Sequence, residues 1–211
     1  MAEARNPHNE EASMRVFFDD CVERGVLLEF SPEEEAKLPQ MFSAWNIQKG
    51  DRLFEPGCGS GRLTRLLPER VGPEGEVLAM DLSPRMITEA QKRGMPENVE
   101  AVVGSIYHIP REDDWFDKIL CFCAFPHFTE PAPALAEMTR VLKPGGDFFV
   151  NHFVGSHVIN DFHRKAGSAV EHHRLPIGHE WRDLLENCRL EMLEFIDRDD
   201  LFHLHAKLRK G

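Results

Sequence analysis

No run in this 211-residue chain approaches the ~20 consecutive apolar residues that a membrane-spanning helix requires. The opening segment, MAEARNPHNEEASMR, is polar and acidic, without the basic start and apolar centre of a secretory signal. A cytoplasmic location is expected. Five cysteines, an odd number with no CxxC pair, make no disulfide framework and fit a reducing compartment. Clustered Lys and Arg are missing too: 25 basic residues are scattered among 36 acidic ones, for a net charge of −11. That balance argues against nucleic acid, which calls for a basic patch. No internal repeat, low-complexity linker or second folding unit is visible. The expected partner is a small neutral or cationic molecule, taken up by a monomer or homodimer with no nucleic acid and no membrane.

Hydrophobic residues make up 42% of the chain, enough for the packed core of one domain. Residues 1–12 read as a polar tail. From Met14 to about Leu28 the apolar residues Met14, Phe17, Phe18, Cys21, Val22 and Val26 recur at helical spacing. Ser31-Pro32-Glu33-Glu34 reads as an N-cap, a proline at the first helical position and an acidic first turn, opening a helix to about Trp45. Residues 1–48 are expected to lie as a lid over a binding domain of residues 49–211. In that second part strands alternate with helices. Strands are expected at Arg52–Glu55, Glu76–Asp81, Val99–Val103, Phe116–Phe122, Asp147–His152, Glu191–Ile196 and Leu201–Leu208. Between them helices are expected near Arg62–Arg70, after Ser83-Pro84, and over Pro131–Leu142, Val158–Gly167 and His179–Cys188. Such alternation implies right-handed crossovers and a doubly wound α/β fold: a seven-stranded, mostly parallel sheet with helices on both faces. Ligands in such sheets sit at the carboxyl ends of the strands, where strand order reverses.

Leu53-Phe54-Glu55-Pro56-Gly57-Cys58-Gly59-Ser60-Gly61 is the most informative run. Glycines at alternate positions let backbone approach a ligand where side chains would clash. The G-x-G-x-x-G spacing of dinucleotide sites fails in both registers, ending on Arg62 from Gly57 and on Thr64 from Gly59. Glu55 stands just before the loop, where it would repel a diphosphate and attract a cation. Asp81, at the end of the second strand, is placed to accept from both hydroxyls of a ribose. A nicotinamide-dependent oxidoreductase is disfavoured on these grounds.

The chain resembles the class I S-adenosylmethionine-dependent methyltransferases of the small-molecule type, whose fold is Rossmann-like. Glu55-x-Gly57-x-Gly59-x-Gly61 matches the first motif of that family and Asp81 its second acidic position. Phe116-Asp117 with Ile119–Phe128 resembles the fourth-strand motif, and Leu142-Lys143-Pro144-Gly145-Gly146 the turn before strand five. The resemblance implies S-adenosylmethionine as cofactor and S-adenosylhomocysteine as product. Glu55 would hold the methionine amine, and the loop Gly57, Cys58, Gly59 and Gly61 the methionyl part. Asp81 would take the ribose, Leu82 and Met86 would flank the adenine, and Ile106 would pack on the ring. Cys121 joins this cofactor set. One departure stands out: many relatives carry an acid where this chain has Ser105, whose hydroxyl can still accept from the adenine amino group.

Methyl transfer asks the protein to align the nucleophile, exclude water and, where needed, remove a proton. Histidine, at 11 residues, is abundant, and His127, His152 and His163 are the candidates for a base or orienting group. His172, His173, His203 and His205 read as structural. A zinc site from His152, His157 and His163 matches no compact signature, and no metal is expected. Cys121 and Cys123, two apart on a strand, are expected on one face. The leading function is methylation of a small molecule. The alternative is a non-catalytic S-adenosylmethionine-binding sensor or partner subunit, and the histidines favour catalysis.

Overall fold

A computed structural model describes residues 7–166 and 170–210. Strands β1 (Arg52–Pro56), β2 (Glu76–Asp81), β3 (Val99–Val103), β4 (Phe116–Phe122), β5 (Leu142–His152), β6 (Leu190–Arg198) and β7 (Leu201–Leu208) form one sheet. Its order is β3-β2-β1-β4-β5-β7-β6. Pairing is parallel from β3 to β5, while β7 runs antiparallel to both β5 and β6. The order reverses between β1 and β4, so the loops leaving those strands flank the switch point.

The helices are α1 (Pro7–Glu23), α2 (Pro32–Trp45), α3 (Leu67–Val71), α4 (Pro84–Gln91), α5 (Pro131–Val141), α6 (Ser156–Ala166) and α7 (Gly178–Asn187). Alternation along each strand sorts them into two layers. Val77, Leu120 and Phe149 face α2 and α3, with Ala79 beside Ile87 of α4. Leu78, Ile119 and Phe148 face α5 and α7, where Leu135, Met138 and Trp181 fill the core.

The start of α2 follows its sequence signal. Ser31 Oγ accepts from the Glu34 amide at 3.2 Å while Glu34 Oε2 accepts from the Ser31 amide at 2.8 Å, with Pro32 at the first helical position. The two N-terminal helices part company. Met41, Phe42 and Trp45 of α2 are buried in the core, and Lys37 Nζ donates to the carbonyls of Phe153 and Asp200 at 2.7 and 2.8 Å. α1 instead lies against α4 at the carboxyl edge of the sheet.

Several expected boundaries move. Residues 7–12, read as tail, are the first turns of α1. The helix expected over Arg62–Arg70 is a 3-10 turn at Thr64–Leu66 running into the short α3. β5 begins at Leu142 rather than Asp147, since Leu142 already pairs with Phe116 before a register shift. The last expected residue of the sixth helix, Gly167, lies outside the described residues.

Candidate active site

The carboxyl ends of β1, β2 and β4 open into a cavity of about 650 Å³, with Met14, Phe17, Phe18 and Cys21 of α1 among its walls. At its floor the glycine loop leaves β1. Gly57 has φ +67°, and a Cβ there would meet Ala124 Cβ at 2.5 Å, so only glycine fits between the loops leaving β1 and β4. Gly61, φ +75°, packs instead against Ala90 of α4 and does not line the cavity. Gly57, Cys58 and Gly59 do.

Glu55 is 2% exposed, and the hydroxyl of Thr64 donates to its Oε2 at 2.7 Å. Among the described residues no Lys or Arg forms an ion pair with it; the nearby Arg62 pairs with Glu34 at 3.5 Å. Burial pushes the Glu55 carboxyl up to about 8, against the Thr64 hydrogen bond. Asp81 ties the site together. Its Oδ2 accepts from the Gly59 amide at 2.8 Å and its Oδ1 from the Ser83 amide at 2.9 Å. Burial raises its carboxyl, and these amides oppose the rise. Leu82, Met86 and Ile106 stand on the same wall.

Besides Gly61, two further residues expected at the cofactor are placed otherwise. Cys121 is 1% exposed in the core, on the sheet face opposite Phe122. Ser105 does not line the cavity: its hydroxyl donates to Glu11 of α1 and accepts from the Tyr107 amide at 3.3 Å. Cys121 and Cys123 do not share a face. Cys123 has φ +54°, which breaks the strand's alternation and turns it toward the cavity and the α2 side. Burial pushes the Cys123 thiol up to about 12.

Across from the loop, imidazoles gather. His127, at the end of a 3-10 turn after β4, brings Nδ1 to 3.1 Å from His173 Nδ1 and its ring to 5.0 Å from that of His163. His163, on α6, has Nδ1 2.9 Å from the His173 carbonyl oxygen. Phe18 of α1 meets His127 edge-on at 5.1 Å. His127 and His163 line the main cavity. His152 lines only an adjoining cavity of about 270 Å³, which shares Cys123, His127, Phe162 and His163 with it. Burial, then the charge of neighbouring imidazoles, holds His127 well below its ordinary value; burial and His163 bring His152 down to about 3. His163 is lowered by burial as well. All three are therefore neutral near pH 7.

His157 lies apart, 3.4 Å from Asp199 on the surface, so the set His152, His157 and His163 is not assembled. Among the described residues no group of three His, Cys, Asp or Glu is arranged to share a cation. Residues the sequence left unmarked include Glu11 and Asp19 of α1, and His173, which read as structural. Asp19 Oδ1 accepts from Ser83 Oγ, the N-cap of α4, at 2.5 Å. An Arg85–Glu23 ion pair adds to that latch. The acidic positions flank the apolar stripe of Met14, Phe17, Phe18 and Cys21, which was the available signal.

A protein-family model described as a methyltransferase domain matches residues 54–150. Demethylmenaquinone methyltransferase of Staphylococcus aureus is 33% identical over 146 residues, 68% of this chain and 61% of that protein. The match thus spans under two thirds of that relative's length. A Haloferax volcanii methyltransferase, solved in complex with the Trm112 methyltransferase activator, superposes with a TM-score of 0.70 at 18% identity, over 91% of this chain and 97% of the other. A SAM-dependent methyltransferase of Aquifex aeolicus gives 0.66 at 22% identity, over 85% and 99%. At these identities the two structures speak to the fold.

Proposed function

The chain belongs to the class I S-adenosylmethionine-dependent methyltransferases, and we propose that it methylates a small, largely apolar acceptor lying between the glycine loop and the His127–His163–His173 cluster. The observation that carries this reading is one cavity lined both by Glu55, a buried carboxyl paired with no Lys or Arg among the described residues, and by the imidazoles of His127 and His163.

The cavity suits that cofactor. Glu55 is a buried carboxyl that accepts from a hydroxyl and, among the described residues, is ion-paired with no Lys or Arg, which favours an ammonium or sulfonium. Gly57 leaves backbone bare where a side chain would collide with Ala124. Asp81, with two backbone amides spent on it, keeps further lone pairs for ribose hydroxyls. Glu55 would take the amine, Gly57–Gly59 the methionyl part, Asp81 the ribose, and Leu82, Met86 and Ile106 the adenine. When bound, the cofactor supplies an electrophilic methyl group with a good leaving group.

The protein's share is positioning and proton management. In the Nδ1···Nδ1 contact of His127 and His173 one nitrogen donates and the other accepts. With His127 as the donor, its Nε2 carries the lone pair and can accept a hydrogen bond from an acceptor's O–H or N–H. The proton then passes to Nε2 as the methyl bond forms. His163 shapes the same wall, and α1 acts as the roof that excludes water. Met14, Phe17, Phe18, Phe128, Phe162 and Val170 make the acceptor end apolar, which suits a hydrophobic ring better than a sugar or amino acid.

The test is methyl transfer from labelled S-adenosylmethionine across phenols, quinols and aromatic amines, with the demethylmenaquinone in the name of the Staphylococcus relative also assayed. Turnover confined to polar acceptors contradicts the reading. Tight cofactor binding with no transfer to any of them favours the sensor alternative.

A further inference from the structure

At the outer end of the cavity, past β2 and β3, the walls are Leu82, Met86, Gly104, Ile106 and Tyr107, an apolar slot suited to a flat base. Telling one purine from another there requires a polar group at the slot's edge. Ser105 does not line the cavity: its hydroxyl donates to Glu11, and the Tyr107 amide takes one of its two lone pairs. Glu11 differs in both respects. It lines the cavity, and its carboxylate offers about four acceptor positions, of which Ser105 uses one.

Resting on the S-adenosylmethionine reading of the cavity, we infer that Glu11 of α1, braced by Ser105, is the acceptor that reads the exocyclic amino group of the adenine. The specificity-determining acid therefore comes from the roof, not from the loop after β3. α1 is otherwise held to the domain by Asp19 on Ser83 and by Glu23 on Arg85, farther along the helix. Glu11 sits near its opposite end. A bound adenine thus adds a second point of attachment for α1, at its first turns.

The experiment compares S-adenosylhomocysteine with S-inosylhomocysteine, in which a carbonyl oxygen replaces the amino group, by calorimetry on the full chain. The wild-type protein should prefer the adenosyl ligand by about tenfold or more, the worth of one charge-assisted hydrogen bond. Glu11→Ala should bring that preference close to unity. Glu11→Gln, whose amide can donate to the inosine oxygen, should also narrow it. Ser105→Ala, which leaves the carboxylate, should keep it. Amide hydrogen exchange over residues 7–23 should slow with S-adenosylhomocysteine and not with the inosyl analogue. Retention of the full preference in both Glu11 variants, or its loss in Ser105→Ala alone, overturns the inference while the cofactor reading stands. Failure of the wild-type protein to bind S-adenosylhomocysteine overturns the cofactor reading and this inference with it.

Discussion

The Asp81 carboxylate accepts the Gly59 amide at 2.8 Å, so the residue that ends β2 also fixes the shape of the loop that ends β1. Its other oxygen takes the Ser83 amide at the start of α4. One side chain therefore joins the ligand-facing ends of two strands and the helix that follows.

Asp81→Ala should accordingly cost more than the ribose contacts alone. Hydrogen bonds to a charged group contribute about 1.5–3 kcal/mol each, so losing two to the ribose should lower S-adenosylhomocysteine affinity at least about a hundredfold. Asp81→Asn, which keeps one acceptor oxygen, should lose about tenfold. Calorimetry measures both, and unchanged affinity in Asp81→Ala removes Asp81 from the site.

Glu55 makes binding pH-dependent. Its carboxyl, raised from 4.5 to about 8 by burial, holds a proton in the empty site near neutrality. A cationic ligand favours the ionised form, so binding at about pH 7 should release close to one proton and at about pH 9 almost none. Calorimetry in buffers of different ionisation enthalpy reads that number, and Glu55→Gln should abolish it. The stability sign follows from the same shift. A raised folded value gives a contribution fully present below the unfolded value of 4.5 and lost as pH rises through about 8. The free protein's Tm should drop across that upper limb, and ligand should restore it.

His152 acts on the acid side. Its Nε2 is buried with no hydrogen-bond partner among the described residues, and burial lowers its pKa from 6.5 to about 3. Between those values the unfolded chain binds the proton and the folded chain does not. Stability therefore rises with pH there and is lost as pH falls below 6.5, at up to about 1.4 kcal/mol per pH unit for one such group. His127 pulls the same way. His152→Phe should flatten this limb in a Tm-against-pH series and leave S-adenosylhomocysteine affinity within about threefold.

His127 separates chemistry from cofactor binding. His127→Ala should lower kcat by about 10²–10⁴ while S-adenosylhomocysteine affinity changes little. His173→Ala, which removes the Nδ1 partner, should have a smaller effect of the same kind. A loss confined to cofactor affinity would place His127 at the wrong end of the cavity.

The order and type of the elements were legible because they are local. The short, almost continuously buried runs of β2 and β4, the Ser31–Glu34 box and the Ser83 cap each lie within a few residues. Glu55 and the glycine loop were legible for the same reason. Tertiary meetings were not. Ser105 looked like an adenine contact because nothing nearby in sequence reveals that Glu11, 94 residues earlier, uses its hydroxyl. Cys121 and Cys123 seemed to share a face until the positive φ at Cys123 reversed the second. His173 was indistinguishable from a surface histidine, being 46 residues from the ring it touches. Residues 7–12 carry no apolar stripe of their own, so nothing in their sequence marks the helical turns from which Glu11 reaches Ser105.

The loop from Glu55 to Gly61 as a site for S-adenosylmethionine is the claim on which the rest depends. Calorimetry on the wild-type protein with S-adenosylhomocysteine and NAD, repeated on Glu55→Gln, tests it most directly. The wild-type protein should show one S-adenosylhomocysteine site per chain, weakened in the variant, and no NAD binding. Binding of NAD with no response to S-adenosylhomocysteine would contradict it.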